Sequence, residues 1–138
     1  MKNWLASRNG AIVLSLIALL TLLARSYYDV RFILTEEYSS LAPWMDVLWI
    51  YGFTAFLGLN MLALLLAASG DGRGAWVTLL VFNLITGLGS GVASLLVFTS
   101  STLEFVIFTS CLIAGLLAAL AVGFRLQRGR VTTAGTVG

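Results

Sequence analysis

The sequence predicts an all-α integral membrane protein, a bundle of four transmembrane helices with both termini in the cytoplasm. The first observation is compositional: 59% of the 138 residues are hydrophobic and only 10% are charged, whereas soluble domains carry about 25% charged residues. The second is the mean hydropathy of +0.99. The third is that four long apolar runs divide the chain, and a helix needs about 20 apolar residues to cross a bilayer.

The first apolar run has features of both a transmembrane helix and a signal peptide. It is short, residues 11–24, and it follows Lys2 and Arg8, as in a secretory signal peptide. It reaches Tyr28 if Arg25 extends toward the headgroups. Leu22 stands two residues before Ala24, where a cleavage site requires a small residue. We therefore expect an uncleaved transmembrane helix, with a signal peptide as the alternative. The predicted spans cover about 10–28, 47–68, 75–99 and 103–124.

Orientation follows from the lysine and arginine residues of the short loops, which favour the cytoplasm. With four spans, six cations lie on the side of the termini, and only Arg25 and Arg31 lie on the other side. The sequence therefore predicts cytoplasmic termini. The six cations are Lys2, Arg8, Arg73, Arg125, Arg128 and Arg130.

A single membrane domain covers residues 1–130 in this interpretation. Residues 27–42, between the first two spans, form its largest part outside the membrane. Tyr27, Val30 and Ile33 share a helical face there, which predicts an amphipathic segment on the outer surface that ends near Pro43. The segment after Arg130, residues 131–138 with the sequence VTTAGTVG, is predicted to be a flexible tail.

The third span contains the glycine-rich stretch TGLGSGVAS, residues 86–94. A phosphate loop of the GxGxxG type would need glycine where Val92 stands, and it would have to follow a strand. The stretch instead continues one helical face that begins at an asparagine and contains a GxxxG pair. The residues of this face, called here the small/polar stripe, are Asn83, Thr86, Gly87, Ser90, Gly91 and Ser94.

The small/polar stripe predicts close contact between helices, because small residues let two membrane helices approach and hydrogen-bond. The alternative is a polar wall that lines a solute path or a ligand pocket. The fourth span has a second small face, which also predicts packing. Its members are Cys111, Gly115, Ala118 and Ala119.

Asn60 and Asn83 are isolated amides in apolar surroundings. They lie at equal distances from the turn at 69–74, so an antiparallel hairpin places them at the same depth. An unpartnered polar group is costly in such surroundings. We expect the two side chains to face each other as an interhelical polar pair, or to share a bound water or ligand.

Composition excludes several kinds of chemistry. The chain has no histidine and one cysteine, Cys111, so imidazole ligands, CxxC motifs and an intrachain disulfide are excluded. No cofactor and no metal site are predicted, and a net charge of +2 does not indicate nucleic-acid binding. Charged residues of the outer side are candidates for surface contacts: Arg31, Glu36, Glu37 and Glu104.

These observations predict a non-enzymatic subunit or accessory component of a larger membrane complex. Its partners would be membrane lipids and other membrane subunits or a second copy of the chain. The short loops suggest the inner membrane of a bacterium. One alternative is a homo-oligomeric channel or facilitator lined by the third span. A weaker alternative is a membrane enzyme that acts on lipids through the outer charged residues.

Overall fold

The computed structural model describes residues 2–5, 7–34, 43–70, 72–96 and 102–137, with some side chains near the ends of these ranges left out. Every regular element within these ranges is a helix, which confirms the predicted all-α class. The helices are α1 (Lys2–Leu5), α2 (Arg8–Leu34), α3 (Pro43–Ser69), α4 (Arg73–Leu96) and α5 (Thr102–Val137).

The four long helices, α2 to α5, are each long and apolar enough to cross a membrane. They correspond in order to the four predicted spans. The amphipathic segment predicted at 27–42 divides in the structure: α2 continues through Leu34, and residues 35–42 lie outside the described residues.

Local sequence explains where the first two long helices begin. Ser7 caps α2, because its hydroxyl accepts a hydrogen bond of 3.0 Å from the amide of Gly10. A Cβ at Gly10 would overlap the carbonyl oxygen of Trp4, so this glycine lets α1 lie against the start of α2. Pro43 opens α3, where its missing N–H is no loss.

Glycines make the connection between α3 and α4 tight. The amide of Gly70 donates to the carbonyl of Leu66 at 3.2 Å, and the carbonyl of Gly72 accepts from the amide of Ala75 at 3.1 Å. The guanidinium of Arg8 donates to the carbonyl of Ala68 and so joins the start of α2 to the end of α3. We call this end of the bundle the turn end.

The C-terminal residues differ from the sequence-based prediction. A flexible tail was expected over 131–138, whereas α5 continues as a helix through Val137. The valines, threonines and glycine of 131–137 are themselves weak helix formers, so the helix continues into them from the segment before, and no proline stops it, since the only proline of the chain is Pro43. Extension of a formed helix costs much less than starting a new one.

Neighbouring helices run in opposite directions, which the cross-helix contacts establish. Ser15 and Arg25 of α2 contact Asn83 and Ser90 of α4 in the same order, so α2 and α4 are parallel. In α5 the order is reversed, because Gly115 lies at Gly87 while the later Arg125 lies over Trp76. The chain is therefore an up-and-down bundle, in which α4 and α5 form the most extensive pair.

Apolar packing is concentrated in two places. At the turn end, Trp76 and Leu79 of α4 pack with Val122 of α5 and with alanines of α2 and α3. Nearer the middle, Ala18 of α2 packs against Ala114 and Ala118 of α5. The alanines bring backbones close, which favours dispersion contacts between helices. Helix α3 is the least enclosed, with 22% of its apolar segment buried against 33–44% in the other three.

Candidate functional site

The small/polar stripe of α4 faces the interior of the bundle. Asn83, Thr86 and Ser90 are at most 2% exposed. The hydroxyl of Thr86 is satisfied within its own helix, since it donates to the carbonyl of Phe82 at 2.8 Å. The backbone of Ser94 belongs to α4, but its side chain lies outside the described residues. The described stripe is thus a contact surface in this chain.

Gly87 of α4 and Gly115 of α5 mark the point where the two helices touch. A Cβ on Gly115 would lie 2.6 Å from the amide nitrogen of Gly87, and a Cβ on Gly87 would lie 3.0 Å from the amide nitrogen of Leu116. A Cβ does not approach backbone as closely as it would at Gly115, and at Gly87 the neighbouring backbone would have to shift by a few tenths of an ångström. The two glycines thus permit this close crossing, which joins the two small faces recognised in the sequence.

The other glycines of the stretch have different surroundings. A Cβ on Gly91 would lie 2.9 Å from Cδ1 of Leu112, the flexible end of a side chain. Gly89 is exposed, and a Cβ there would have no atom within 4 Å. The alternation of glycines in TGLGSGVAS therefore combines two packing glycines with one, Gly89, that packs against none of the described residues.

Cys111 of α5 lies opposite Ser90. Its side chain is fully buried, and its Sγ accepts a hydrogen bond of 3.1 Å from the Ser90 hydroxyl. Gly115, Ala118 and Ala119 are buried on the same side of α5. The second small face is therefore the surface that receives α4 and α2.

Arg25 is the residue that the sequence analysis placed differently. The first span was expected to reach Tyr28 if Arg25 extended toward the headgroups, whereas the Arg25 side chain is 8% exposed and turns into the bundle. Its Nη1 donates a hydrogen bond of 2.6 Å to the hydroxyl of Ser90. Arg25, Ser90 and Cys111 thus form one hydrogen-bonded chain across three helices.

Two aromatic rings enclose the Arg25 guanidinium. Its central carbon lies 4.8 Å from the ring centroid of Phe108 and 5.9 Å from that of Phe53. Both distances are within the range of cation–π attraction, which is stronger where water is excluded. Arginine suits such a place because its planar, weakly hydrated cation stacks on rings. All four long helices therefore meet around this one charge.

The sequence did contain a signal for the orientation of Arg25. Ser15, Ala18, Leu22 and Arg25 follow helical spacing on one face of α2, and Ser26 borders it; all five are buried. Arg25 lies on the same face as Ala18, two helical turns further along α2. Snorkelling offers an arginine near a helix end an alternative direction, so the sequence alone does not decide between the two.

Asn60 and Asn83 are both buried, at 1% and 0% exposure. The amide nitrogen of Asn83 donates to the hydroxyl of Ser15 on α2 at 2.9 Å. Within the described part of the chain, neither polar atom of the Asn60 side chain has a hydrogen-bond partner, and neither does Oδ1 of Asn83. The hydrogen-bonded interhelical pair is therefore Ser15–Asn83, with no direct bond between the two asparagines.

The candidates for outer-surface contacts fall where little is described. Glu36 and Glu37 lie outside the described residues. For Arg31 and Glu104 only the helical backbone is described, within α2 and α5.

The interior site offers one cation, hydroxyls, a thiol and amides. Among the described residues, no group of three or more histidine, cysteine or acidic side chains could hold a metal ion. Ser90 receives a hydrogen bond from Arg25 and donates one to Cys111, so its hydroxyl proton points to sulfur. This arrangement fixes the relative positions of α2, α4 and α5.

Comparisons of the sequence with protein-family models and with curated proteins, and of the fold with solved structures, found no match. The described structure has four helices of membrane-spanning length and apolarity, and an interior that carries a buried arginine.

Proposed function

We propose that this chain is an integral membrane protein with cytoplasmic termini, a non-catalytic subunit or accessory component of a larger complex in a bacterial inner membrane. Four helices of sufficient length and apolarity support insertion. The loop charges support the orientation, with six cations on the side of the termini and two on the other. The turn end of the bundle then faces the cytoplasm.

The exposed side of α3 is the observation that carries the proposal. This helix has the smallest buried fraction of the four, and Gly52, Ala55 and Gly58 stand exposed on it at intervals of three residues. A Cβ at Gly52 or Gly58 would have no atom within 4 Å. Helix interfaces in membranes are enriched in such small residues. This face suits the close approach of a helix from another subunit.

The interior arrangement supports a structural role over a solute path. A channel lined by α4 would need the small/polar stripe to face water. Asn83 and Ser90 are instead fully buried, and the GxxxG pair packs on α5. The alternative of a lipid-acting enzyme depends on the outer charged residues, for which no described contact supplies an argument.

Purification from native membranes in a mild detergent tests the proposal. The wild-type chain is expected to co-purify with defined membrane subunits, and Gly58→Leu is expected to release them, because a leucine there would hold a partner helix away. Gly89→Leu is the matched control, since it adds the same side chain at an exposed, open glycine of α4.

Two results would count against the proposal. One is a wild-type chain that runs alone as a single species. The other is equal release of the partners by Gly58→Leu and Gly89→Leu, which would show that the α3 face does not contact the partner subunits.

A further inference from the structure

A groove runs between α4 and α5 on the exposed side of their contact. Its volume is about 410 Å³, within the range of about 300–1,000 Å³ typical of ligand sites. One end has a single polar side chain, Gln127, and the rest is apolar. The lining residues are Leu80, Leu84, Leu116, Ala119, Leu120, Gly123, Phe124 and Gln127.

The sequence makes this groove through two small residues of α5. Ala119 and Gly123 lie on the groove side between the larger Leu116 and Gln127. A Cβ at Gly123 would have no atom within 4 Å, so the space above it is open and not filled by α4. The groove therefore begins beside the Gly87–Gly115 crossing, at Leu116, and continues from there toward the turn end.

The length of the groove fits one leaflet of a bilayer. From Leu116 to Gln127 on α5 the helix rises about 16 Å. The hydrocarbon core is about 30 Å thick, so one leaflet is about half of that. An acyl chain that lies in this groove would be covered along most of its leaflet.

Two arginines stand at the turn end of the groove. On α4, Arg73 is on the same helical face as Leu80 and Leu84, which follow it by seven and eleven residues. On α5, Arg128 follows the lining residue Phe124 by one turn. Both arginine side chains are exposed.

The register of the two helices brings these arginines to one level. Gly87 of α4 lies against Gly115 of α5. Trp76, eleven residues before Gly87, lies against Arg125, which is ten residues after Gly115. Three further residues along each helix lead to Arg73 and Arg128. Arg125 itself lies over the Trp76 ring at 4.7 Å, and Arg73 and Arg128 are at the level of the next helical turn toward the turn end.

From this arrangement we propose that the α4–α5 groove binds an anionic glycerophospholipid of the cytoplasmic leaflet. One acyl chain lies along Leu84, Leu120 and Gly123, and the phosphate lies between Arg73 and Arg128 with Gln127 beside it. Arginine pairs recognise phosphate by charge and by parallel hydrogen bonds. The site requires the membrane insertion and orientation proposed above, but no partner subunit.

Native mass spectrometry of the purified, delipidated chain tests this site. The protein in detergent is mixed with equal amounts of phosphatidylglycerol and phosphatidylcholine that carry the same acyl chains. The wild type is expected to retain one phosphatidylglycerol in preference to phosphatidylcholine. A surface arginine strengthens attraction to anionic lipid by about fivefold, so Arg73→Gln and Arg128→Gln are each expected to lower this preference by that factor.

Filling the groove tests the acyl-chain part independently. Gly123→Leu is expected to lower retention of both lipids, whereas Gly89→Leu, on the opposite side of α4, is expected to leave retention unchanged. Circular dichroism on heating identifies any variant that fails to fold, and the arginine variants keep the test decisive in that case.

Three results would overturn the lipid site. The wild type could retain both lipids equally, or Gly123→Leu could leave the retention of phosphatidylglycerol unchanged. The third result is a dimer of the chain in the mass spectrum that Gly123→Leu dissociates. Because Gly58 is on α3, loss of a partner complex by Gly58→Leu with lipid retention intact separates this site from the proposed function.

Discussion

Arg25 of α2 and Ser90 of α4 are joined by a hydrogen bond of 2.6 Å between Nη1 and the hydroxyl, although 65 residues separate them in the chain. The Ser90 hydroxyl in turn donates a hydrogen bond to Sγ of Cys111 on α5. The ring centroid of Phe53 on α3 lies 5.9 Å from the guanidinium carbon. A single buried cation therefore contacts every long helix. Contacts of this kind specify one arrangement of helices in a region where apolar packing alone is less directional.

Arg25→Ala is expected to destabilise the bundle by about 2–5 kcal/mol. The variant loses a hydrogen bond to a charged group, worth about 1.5–3 kcal/mol, and the stacking on Phe108, worth about 0.5–2 kcal/mol. Arg25→Lys keeps the charge but loses the planar stacking, so we expect a smaller loss. Denaturation in mixed micelles, followed by circular dichroism, measures the free energy of unfolding.

The matched control for Arg25 is Arg73→Ala, which removes an exposed arginine. We expect its effect to stay within about 0.5 kcal/mol. Similar losses for Arg25→Ala and Arg73→Ala would mean that the buried arginine does not organise the bundle.

The glycines of α4 and α5 predict a graded series of alanine variants. Gly115→Ala is expected to be the most harmful, with a loss of more than about 2 kcal/mol, because its Cβ would meet the backbone of Gly87. Gly91→Ala meets only the flexible end of Leu112 and is expected to cost less than about 1 kcal/mol. Gly89→Ala meets nothing and is expected to gain about 0.5–1 kcal/mol from helix propensity.

Unfolding free energies of the three variants in one micelle system measure this series. The order Gly115, Gly91, Gly89 is the critical result. A loss at Gly89 comparable with that at Gly115 would contradict the assignment of the α4–α5 crossing.

The helices were largely predictable because apolar length alone identifies them. The predicted third span, about 75–99, corresponds to α4, Arg73–Leu96, and the predicted fourth, about 103–124, begins one residue from the start of α5. The end of α5 was not predictable in the same way. Residues 131–137 contain no apolar stripe and no proline, so their helical conformation depends on the helix that precedes them.

The interior contacts were less predictable than the faces that make them. Periodicity indicates which side of a helix is small or polar, as it did for Asn83 and Ser90, but it does not indicate which neighbour that side meets. Asn83 meets Ser15 of α2, which is remote in sequence, instead of Asn60 of the adjacent helix. The inward direction of the Arg25 side chain depends on its acceptor, Ser90, which belongs to α4 and cannot be paired with α2 from the periodicity of α2 alone.

A double-mutant cycle of Ser15→Ala and Asn83→Ala measures the one described hydrogen bond between these side chains. We expect a coupling energy of about 0.6 kcal/mol, and at most about 1.7 kcal/mol, as for other interhelical hydrogen bonds in membranes. Ser15→Ala combined with Thr86→Ala is the control, because the Thr86 hydroxyl bonds to its own helix. The control pair should be additive; coupling equal to that of Ser15 and Asn83 would contradict the assigned bond.

Asn60 provides the sharpest contrast with Asn83, because the two amides are equally buried but unequally bonded. Both polar atoms of the Asn60 side chain lack a partner among the described residues, and such a group costs about 1–3 kcal/mol when buried. Asn60→Leu replaces the amide with an apolar side chain of similar size, so it is expected to be neutral or to stabilise the bundle. Asn83→Leu is expected to destabilise it, because Ser15 loses its donor and a polar interior receives an apolar group. Unfolding in mixed micelles compares the two variants directly. If Asn60→Leu costs as much as Asn83→Leu, the Asn60 amide holds a polar partner at this depth, as the equal spacing of the two asparagines from the turn predicted.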